Sequence, residues 1–345
     1  MDYGYVIKKA VRITRKNKFL WLYGFILVLF NEGIVNISNI RIDYPVSEWI
    51  STYPSEWKNL LPQPVGSVPV GFYMILVMGF MILYITVGII FSAFSRGVLI
   101  KSADRFENGE KINFQKSWVD GKSKMGPLSL LHALLISPYI IFTVIIILLI
   151  LTVFWPSITR LIISSTSLTN QNMPTTGDPF LSIFYFLSML MTCSLGFWEI
   201  FRVFFITFGS RAIVLENYSI FESFTRSKSI FKKNIGKVVI PAIIIFLAAL
   251  FVGLIIGIIG ITLIFSVLYL ASLKSGQASA GFSDPSLLIM GGFLVLGFLF
   301  INLLVGGIFK VFLESFWTFI YRKLTIQDHP QNETMMAGEP STNPT

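Results

Sequence analysis

Six stretches of mostly apolar residues punctuate this chain, each long enough to cross a lipid bilayer as a helix, and no other feature constrains its fold as strongly. They run over roughly 19–38, 69–95, 129–155, 180–208, 238–272 and 287–319. A hydrocarbon core takes about 20 apolar residues of helix, so the expectation is an all-α, polytopic membrane helix bundle with six transmembrane helices. Asn31 and Glu32 interrupt the first stretch near one end, which makes it the weakest. The second, fourth, fifth and sixth exceed what a bilayer needs and are expected to tilt or to continue as helix beyond the surface. Composition agrees. The chain is 54% hydrophobic and 13% charged, with a mean hydropathy of +0.73. A soluble domain carries roughly 25% charged residues, and a soluble fold of this composition would expose large apolar patches.

Direction follows from the basic residues. Of 27 Lys and Arg, six lie in 1–18, seven in 96–124, seven in 202–237 and three in the last span and tail, 23 in all. Arg41, Lys58, Arg160 and Lys274 share the alternate loops. Both termini are therefore expected on the cytoplasmic side of the cell membrane. The basic start and the run Phe19–Phe30 resemble a signal peptide. The run ends in Asn31-Glu32-Gly33 without a small-x-small cleavage site, so it reads as an uncleaved first span. One membrane domain is expected over 1–326. The polar, Pro-containing segment 327–345 reads as a disordered cytoplasmic tail. In the outer loop 39–68, Tyr44-Pro45, Trp49, Tyr53-Pro54 and Trp57 read as interfacial anchors.

Two inner segments repeat. Ser95-Arg96-Gly97-Val98-Leu99-Ile100 resembles Ser210-Arg211-Ala212-Ile213-Val214-Leu215. Further on, Phe114, Lys116, Ser117, Lys122 and Gly126 fall at the same offsets as Phe224, Arg226, Ser227, Lys232 and Gly236. Both copies begin where an even-numbered span leaves the bilayer, which makes the repeat parallel. The N-terminus reads as a third, degenerate copy: Arg15-Lys16-Asn17 precedes the first span as Lys232-Lys233-Asn234 precedes the fifth. Lys8, Lys9, Arg12, Arg15 and Lys16 share one side of a helical wheel, and Val6, Ile7, Ala10, Val11 and Ile13 the other, the pattern of a basic amphipathic helix in the interface. Ser219-Ile220-Phe221-Glu222 matches a capping box and places a helix start there. Three helix-pair units follow, each an interfacial amphipathic helix on the cytoplasmic face and two spans. The candidate headgroup contacts are Lys8, Arg12, Arg15, Lys16, Arg96, Arg211, Lys232 and Lys233. Arg96 and Arg211 are expected to snorkel to phosphates.

Charges within spans are costly and call for partners. Glu199 and Arg202 lie at i and i+3 on the fourth span, Lys310 and Glu314 at i and i+4 on the sixth. Each pair can neutralise itself on one helix face, or the four can form one intramembrane polar network around an inner cavity. His132 reads as an interfacial hydrogen bonder, and Pro138, Pro156 and Pro241 as kinks or helix starts. A single cysteine, Cys193, excludes an internal disulfide, and two histidines make imidazole metal chemistry an unpromising expectation. There is no phosphate-binding Gly-rich loop, no Gly-x-Ser-x-Gly elbow and no His-Glu-x-x-His.

The opening Ala10-Val11-Arg12-Ile13-Thr14-Arg15-Lys16-Asn17-Lys18-Phe19-Leu20-Trp21-Leu22-Tyr23-Gly24 resembles the start of many uncharacterised prokaryotic six-span proteins. So do Arg211-Ala212-Ile213-Val214-Leu215-Glu216, Phe221-Glu222-Ser223-Phe224 and Arg226-Ser227. These proteins are similar to the membrane domain attached to some glycerophosphoryl diester phosphodiesterases. That family's catalytic barrel is a separate soluble domain, absent from these residues, so the resemblance implies a membrane domain and supplies no catalytic residues. The expected function is non-enzymatic, in contact with the bilayer's anionic headgroups or with a membrane-protein partner, without cofactor or nucleic acid. The alternative is a small-molecule or lipid transporter subunit using a polar cavity between spans four and six, with a membrane-embedded enzyme as the third class.

Overall fold

A computed structural model describes residues 1–32, 70–164, 179–275 and 285–328. The outer loop, the two polar turns, the end of the first span and the tail lie outside the described residues. Within them the chain is all-α, with no strand: α1 (Tyr3–Lys16), α2 (Leu20–Leu27), α3 (Val70–Glu107), α4 (Phe114–Ser164), α5 (Pro179–Leu215), α6 (Ile220–Lys233), α7 (Ile235–Ser275) and α8 (Pro285–Asp328). Five helices, α3, α4, α5, α7 and α8, are long and apolar enough to cross a membrane. The first span is described as a shorter apolar helix, Leu20–Phe30, whose last turn widens into a π-helical turn over Val28–Glu32. The expected continuation of long spans as helix past their apolar stretch holds for α3, α5 and α8, which run on through the basic segments.

The chain divides into two units, Met1–Gly126 with Lys228–Thr345, and Pro127–Ser227. In the first unit, α8 packs against α1, α2 and α3. The α2–α8 crossing is built on glycine. A Cβ on Gly307 would lie 2.8 Å from the Phe25 amide nitrogen, and one on Gly24 would meet the Gly307 carbonyl and come within 2.8 Å of Val311 Cγ2. Only hydrogen at both positions lets the backbones approach so closely, the device by which small residues join helices in lipid.

On helix α1 Val11, expected on the apolar side, is 40% exposed. Val6, Ala10, Ile13 and Thr14 are buried, whereas Lys8, Arg12, Arg15 and Lys16 are exposed. Asp2 caps its start, accepting from the Tyr5 N–H at 3.0 Å. Asn17 ends it, its backbone N–H and its Nδ2 both donating to the Ile13 carbonyl at 3.0 and 3.3 Å. The elbow into α2 is held by Trp21, whose indole N–H donates to the Thr14 carbonyl at 2.9 Å.

Helix α6 has the same construction. Ser219 caps it, and the reciprocal capping box is formed: Glu222 N–H to Ser219 Oγ at 3.4 Å and Ser219 N–H to Glu222 Oε2 at 2.9 Å. Asn234 ends it with its N–H and Nδ2 on the Ile230 carbonyl, at 3.1 and 3.3 Å. Ser223, Ser227 and Ile230 are buried where α1 buries Val6, Ala10 and Ile13. The middle copy differs. Residues 114–126 are not a separate interfacial helix but the first turns of α4, continuous with the third span. The position matching Asn17 and Asn234 is Lys124, which lacks the short side-chain amide that ends the other two helices.

In the second unit, α4 carries Pro138 in its interior. Proline removes the N–H that would bond the Leu134 carbonyl, and the Ser137 hydroxyl donates to that carbonyl instead at 2.8 Å. Helix α7 is the most apolar, with a mean hydropathy of 3.2 over a stretch in which no residue is buried inside the protein. A helix apolar on all sides belongs in lipid or in a protein core. Gly307→Ala is expected to destabilise the protein by about 1–3 kcal/mol, the usual cost of overpacking. Gly292→Ala, where a Cβ meets nothing within 4 Å, is expected to be neutral. Thermal unfolding of the two variants in detergent, followed by the loss of monodisperse elution, checks the contrast.

Candidate functional site: buried ion pairs and exposed basic helices

Two charged clusters sit within apolar helices, one in each unit. In the first, Arg96 of α3 lies with Nε 3.3 Å from Glu314 Oε1 of α8. Both residues are buried, 3% and 7% exposed. Two turns further along, Asp104 of α3 forms an ion pair with Arg322 of α8 and accepts from Lys101 Nζ at 3.4 Å. Asp104 is itself buried. Both cross-helix pairs join residues 218 positions apart, so α3 and α8 run parallel and in register. Beside them Lys9 of α1 reaches Glu107 at 2.7 Å and lies 5.4 Å from the centre of the Phe319 ring. Lys323 stands 4.8 Å over the Tyr5 ring. Arg105 ties α3 to the start of α4 through Asp120, at 2.9 Å.

In the second unit, Glu199 and Arg202 pair on one face of α5. Arg202 Nε donates to Glu199 Oε2 at 2.7 Å and Nη2 to Oε1 at 2.5 Å, a two-pronged contact. The Tyr139 hydroxyl of α4 donates to the same Oε2, and Trp198 Nε1 donates to the Leu135 carbonyl at 3.1 Å. The two helices are thus joined through groups that the sequence placed 60 residues apart. The local pairing expected of Glu199 and Arg202 is present. Tyr139 was not among the expected partners; its place one residue after Pro138 is the nearest sequence signal.

Glu314, expected beside Lys310 on its own helix, has Arg96 as its cross-helix partner, and Lys310 lies one turn before it on α8. Arg96 and Arg211, expected to reach for lipid phosphates, are both buried, Arg211 to 1% exposure, with its guanidinium donating to the Thr207 carbonyl. A guanidinium at this depth is tolerated when charge or carbonyl oxygens surround it, and Glu314 supplies the charge for Arg96. The other candidates behave differently: Lys8, Arg12, Arg15, Lys16, Lys232 and Lys233 are all exposed. His132 is buried.

Outside the spans, Glu222 of the α6 cap has its pKa held below the ordinary glutamate value, chiefly by the Ser219 backbone N–H that it accepts. Among the described residues no three His, Cys, Asp or Glu gather as a metal would need. Comparison with protein-family models, with curated proteins and with solved structures finds no match to this chain.

Two outcomes follow. Arg96→Met leaves Glu314 without its cross-helix charge, and breaking a buried pair from one side costs about 3–5 kcal/mol. The double variant Arg96→Met/Glu314→Leu is expected to regain most of that stability, measured by thermal unfolding of all three proteins. For Glu222 the lowered pKa means that the cap is fully formed above the ordinary glutamate range and is lost as pH falls through the depressed value. Amide exchange at Ser219 is expected to accelerate over that acidic window, and to be fast at every pH in Glu222→Ala.

Proposed function

We propose that this chain is a non-enzymatic, multi-pass protein of the cell membrane, with both termini on the cytoplasmic side and a basic inner surface that engages anionic lipid headgroups. The observation that carries the reading is the paired construction of α1 and α6. Each is a 14-residue helix with a capped start and an asparagine end, burying one face and exposing basic residues on the other. This matched build, together with the matched burial of Arg96 and Arg211, supports reading the inner segments as one parallel repeat used three times. The charge split between inner and outer loops supports the orientation, and the six apolar stretches support six spans. The resemblance to the membrane domain of glycerophosphoryl diester phosphodiesterases fits a protein that meets lipid.

A transport role is the second reading, favoured by the Tyr139–Glu199–Arg202 cluster inside apolar helices. Intramembrane ionisable groups often mark a pathway. Here, however, the carboxylate already holds a two-pronged arginine and a phenol, and the other cluster pairs Arg96 with Glu314. Groups committed to each other serve helix packing better than a passing solute.

The test is charge reversal of Lys8, Arg12, Arg15 and Lys16 in the full chain reconstituted in nanodiscs containing phosphatidylglycerol and phosphatidylcholine. Near a membrane surface each basic residue contributes about 1 kcal/mol toward anionic lipid. The number of phosphatidylglycerol molecules retained, counted by native mass spectrometry, is expected to fall steeply. An unchanged count would sink the proposal.

A further inference from the structure

The exposed basic faces attract anionic lipid generally, but one place in the first unit has the makings of a defined seat. Where α2 leaves the α1 elbow it meets the first turns of α4 through aromatic rings. Phe19 and Phe114 lie 6.0 Å apart edge to face, and Tyr23 stacks on Phe114 at 6.0 Å. Tyr23 also meets Phe94 of α3 at 5.9 Å, and Phe94 meets Trp118 edge-on at 4.8 Å. The inner part of this cluster is closed: Tyr23 is fully buried and Phe94 is 7% exposed. The outer part is open: Phe114 is 45% exposed and Trp118 47%.

Phe114, Trp118 and Lys122 follow one another at four-residue spacing and share one face of α4. Helix α4 is held close to α3 there because residue 121 is glycine; a Cβ at this position would press on Val98 and come within 3.0 Å of the Phe94 ring. Lys122 is exposed at one end of the face, and Lys18, also exposed, adjoins Phe19 on the facing elbow. The cluster stands beside the α3–α4 loop, where the apolar stretch of α3 gives way to charged residues. Aromatic rings at that level favour the headgroup boundary, and lysines flanking them offer charge to a phosphate.

We infer that this aromatic cleft between α2 and α4 binds one anionic phospholipid, its acyl chain against Phe114 and Trp118 and its phosphate between Lys18 and Lys122. The inference rests on the lipid-engaging reading of the inner face and gives it a specific ligand and address. The segment 210–236 does not reproduce the seat. There the residue matching Trp118 is Lys228, and the residue matching Phe19 of the elbow is Gly236. Rings in the second copy make a different contact, Phe205 on Phe224 at 4.8 Å.

The experiment uses the full chain in nanodiscs of mixed phosphatidylglycerol and phosphatidylcholine, released into detergent and read by native mass spectrometry. One phosphatidylglycerol is expected to survive stripping conditions that remove the rest. Lys18→Gln/Lys122→Gln, which changes only exposed side chains, is expected to weaken that adduct by roughly tenfold or more, since each surface charge accounts for about fivefold. Trp118→Ala is expected to lose it and Trp118→Phe to restore it, with elution and helical circular dichroism confirming the fold. The adduct is expected to persist in the α1 charge-reversal protein, which separates the two proposals. Retention of the adduct in both the Trp118→Ala and the double-lysine variants would overturn the seat while leaving the general headgroup reading standing. Equal retention of phosphatidylcholine, or loss of the adduct in the α1 variant alone, would also overturn it.

Discussion

The parallel register of α3 and α8 depends on ion pairs of which Arg96, Asp104 and Glu314 are buried. Arg96 with Glu314 and Asp104 with Arg322 share one sequence separation, so a slip of either helix along the other would part both at once. Parting the Arg96–Glu314 pair leaves two buried charges, and parting the other leaves Asp104 buried alone, each several kcal/mol out of balance. Apolar packing between helices in lipid cannot supply the same discrimination, because lipid tails are as apolar as leucine. The charges therefore select an alignment that the surrounding Phe, Ile and Leu would leave open. Helix α8 then becomes the element on which the first unit is assembled. Its glycines accept α2, and its C-terminal end carries α1 through the ring contacts of Lys9 and Lys323.

The second unit solves the same problem on a smaller scale. Proline at 138 disturbs α4, a serine hydroxyl takes up one freed carbonyl, and the neighbouring phenol crosses to Glu199. Arg202 neutralises that carboxylate from its own helix. Polar groups in each unit are thus used in contacts that join helices, while Lys8, Arg12, Arg15 and Lys16 of α1 and Lys232 and Lys233 of α6 are exposed. This division separates structural charge from charge available to a ligand, and it is the reason the functional proposals concern the exposed lysines and arginines and not Arg96 or Arg211.

Much of this was legible residue by residue. Apolar run length alone marks five of the helices, and the 3.6-residue pattern of Val6, Ala10 and Ile13 marks the buried side of α1. The capping box at Ser219 and Glu222 was readable because it depends on neighbours three positions apart. The Glu199–Arg202 pair was readable for the same reason. What escaped was everything set between distant segments. Arg96 looked like a residue bound for phosphate, since nothing near it in sequence identifies Glu314 as its partner. The middle interfacial helix was expected as a separate piece because the spacing of residues 114–126 matches that of 224–236; in the structure those residues run unbroken into the rest of α4.

The sequence by itself determined that the chain is helical and apolar enough for a bilayer, where its charges gather, and which helix faces are buried, because these follow from local spacing and from the cost of exposing backbone to lipid. Tertiary structure decided which charges are spent on each other and which remain outward. It also decided that Gly24 and Gly307 are points of close approach, and that Phe19, Tyr23, Phe94, Phe114 and Trp118 gather into one cluster of rings. The physical reason is range. Periodicity and capping act over one or two turns, whereas ion pairing and ring packing act across space between residues whose separation along the chain carries no information about their distance.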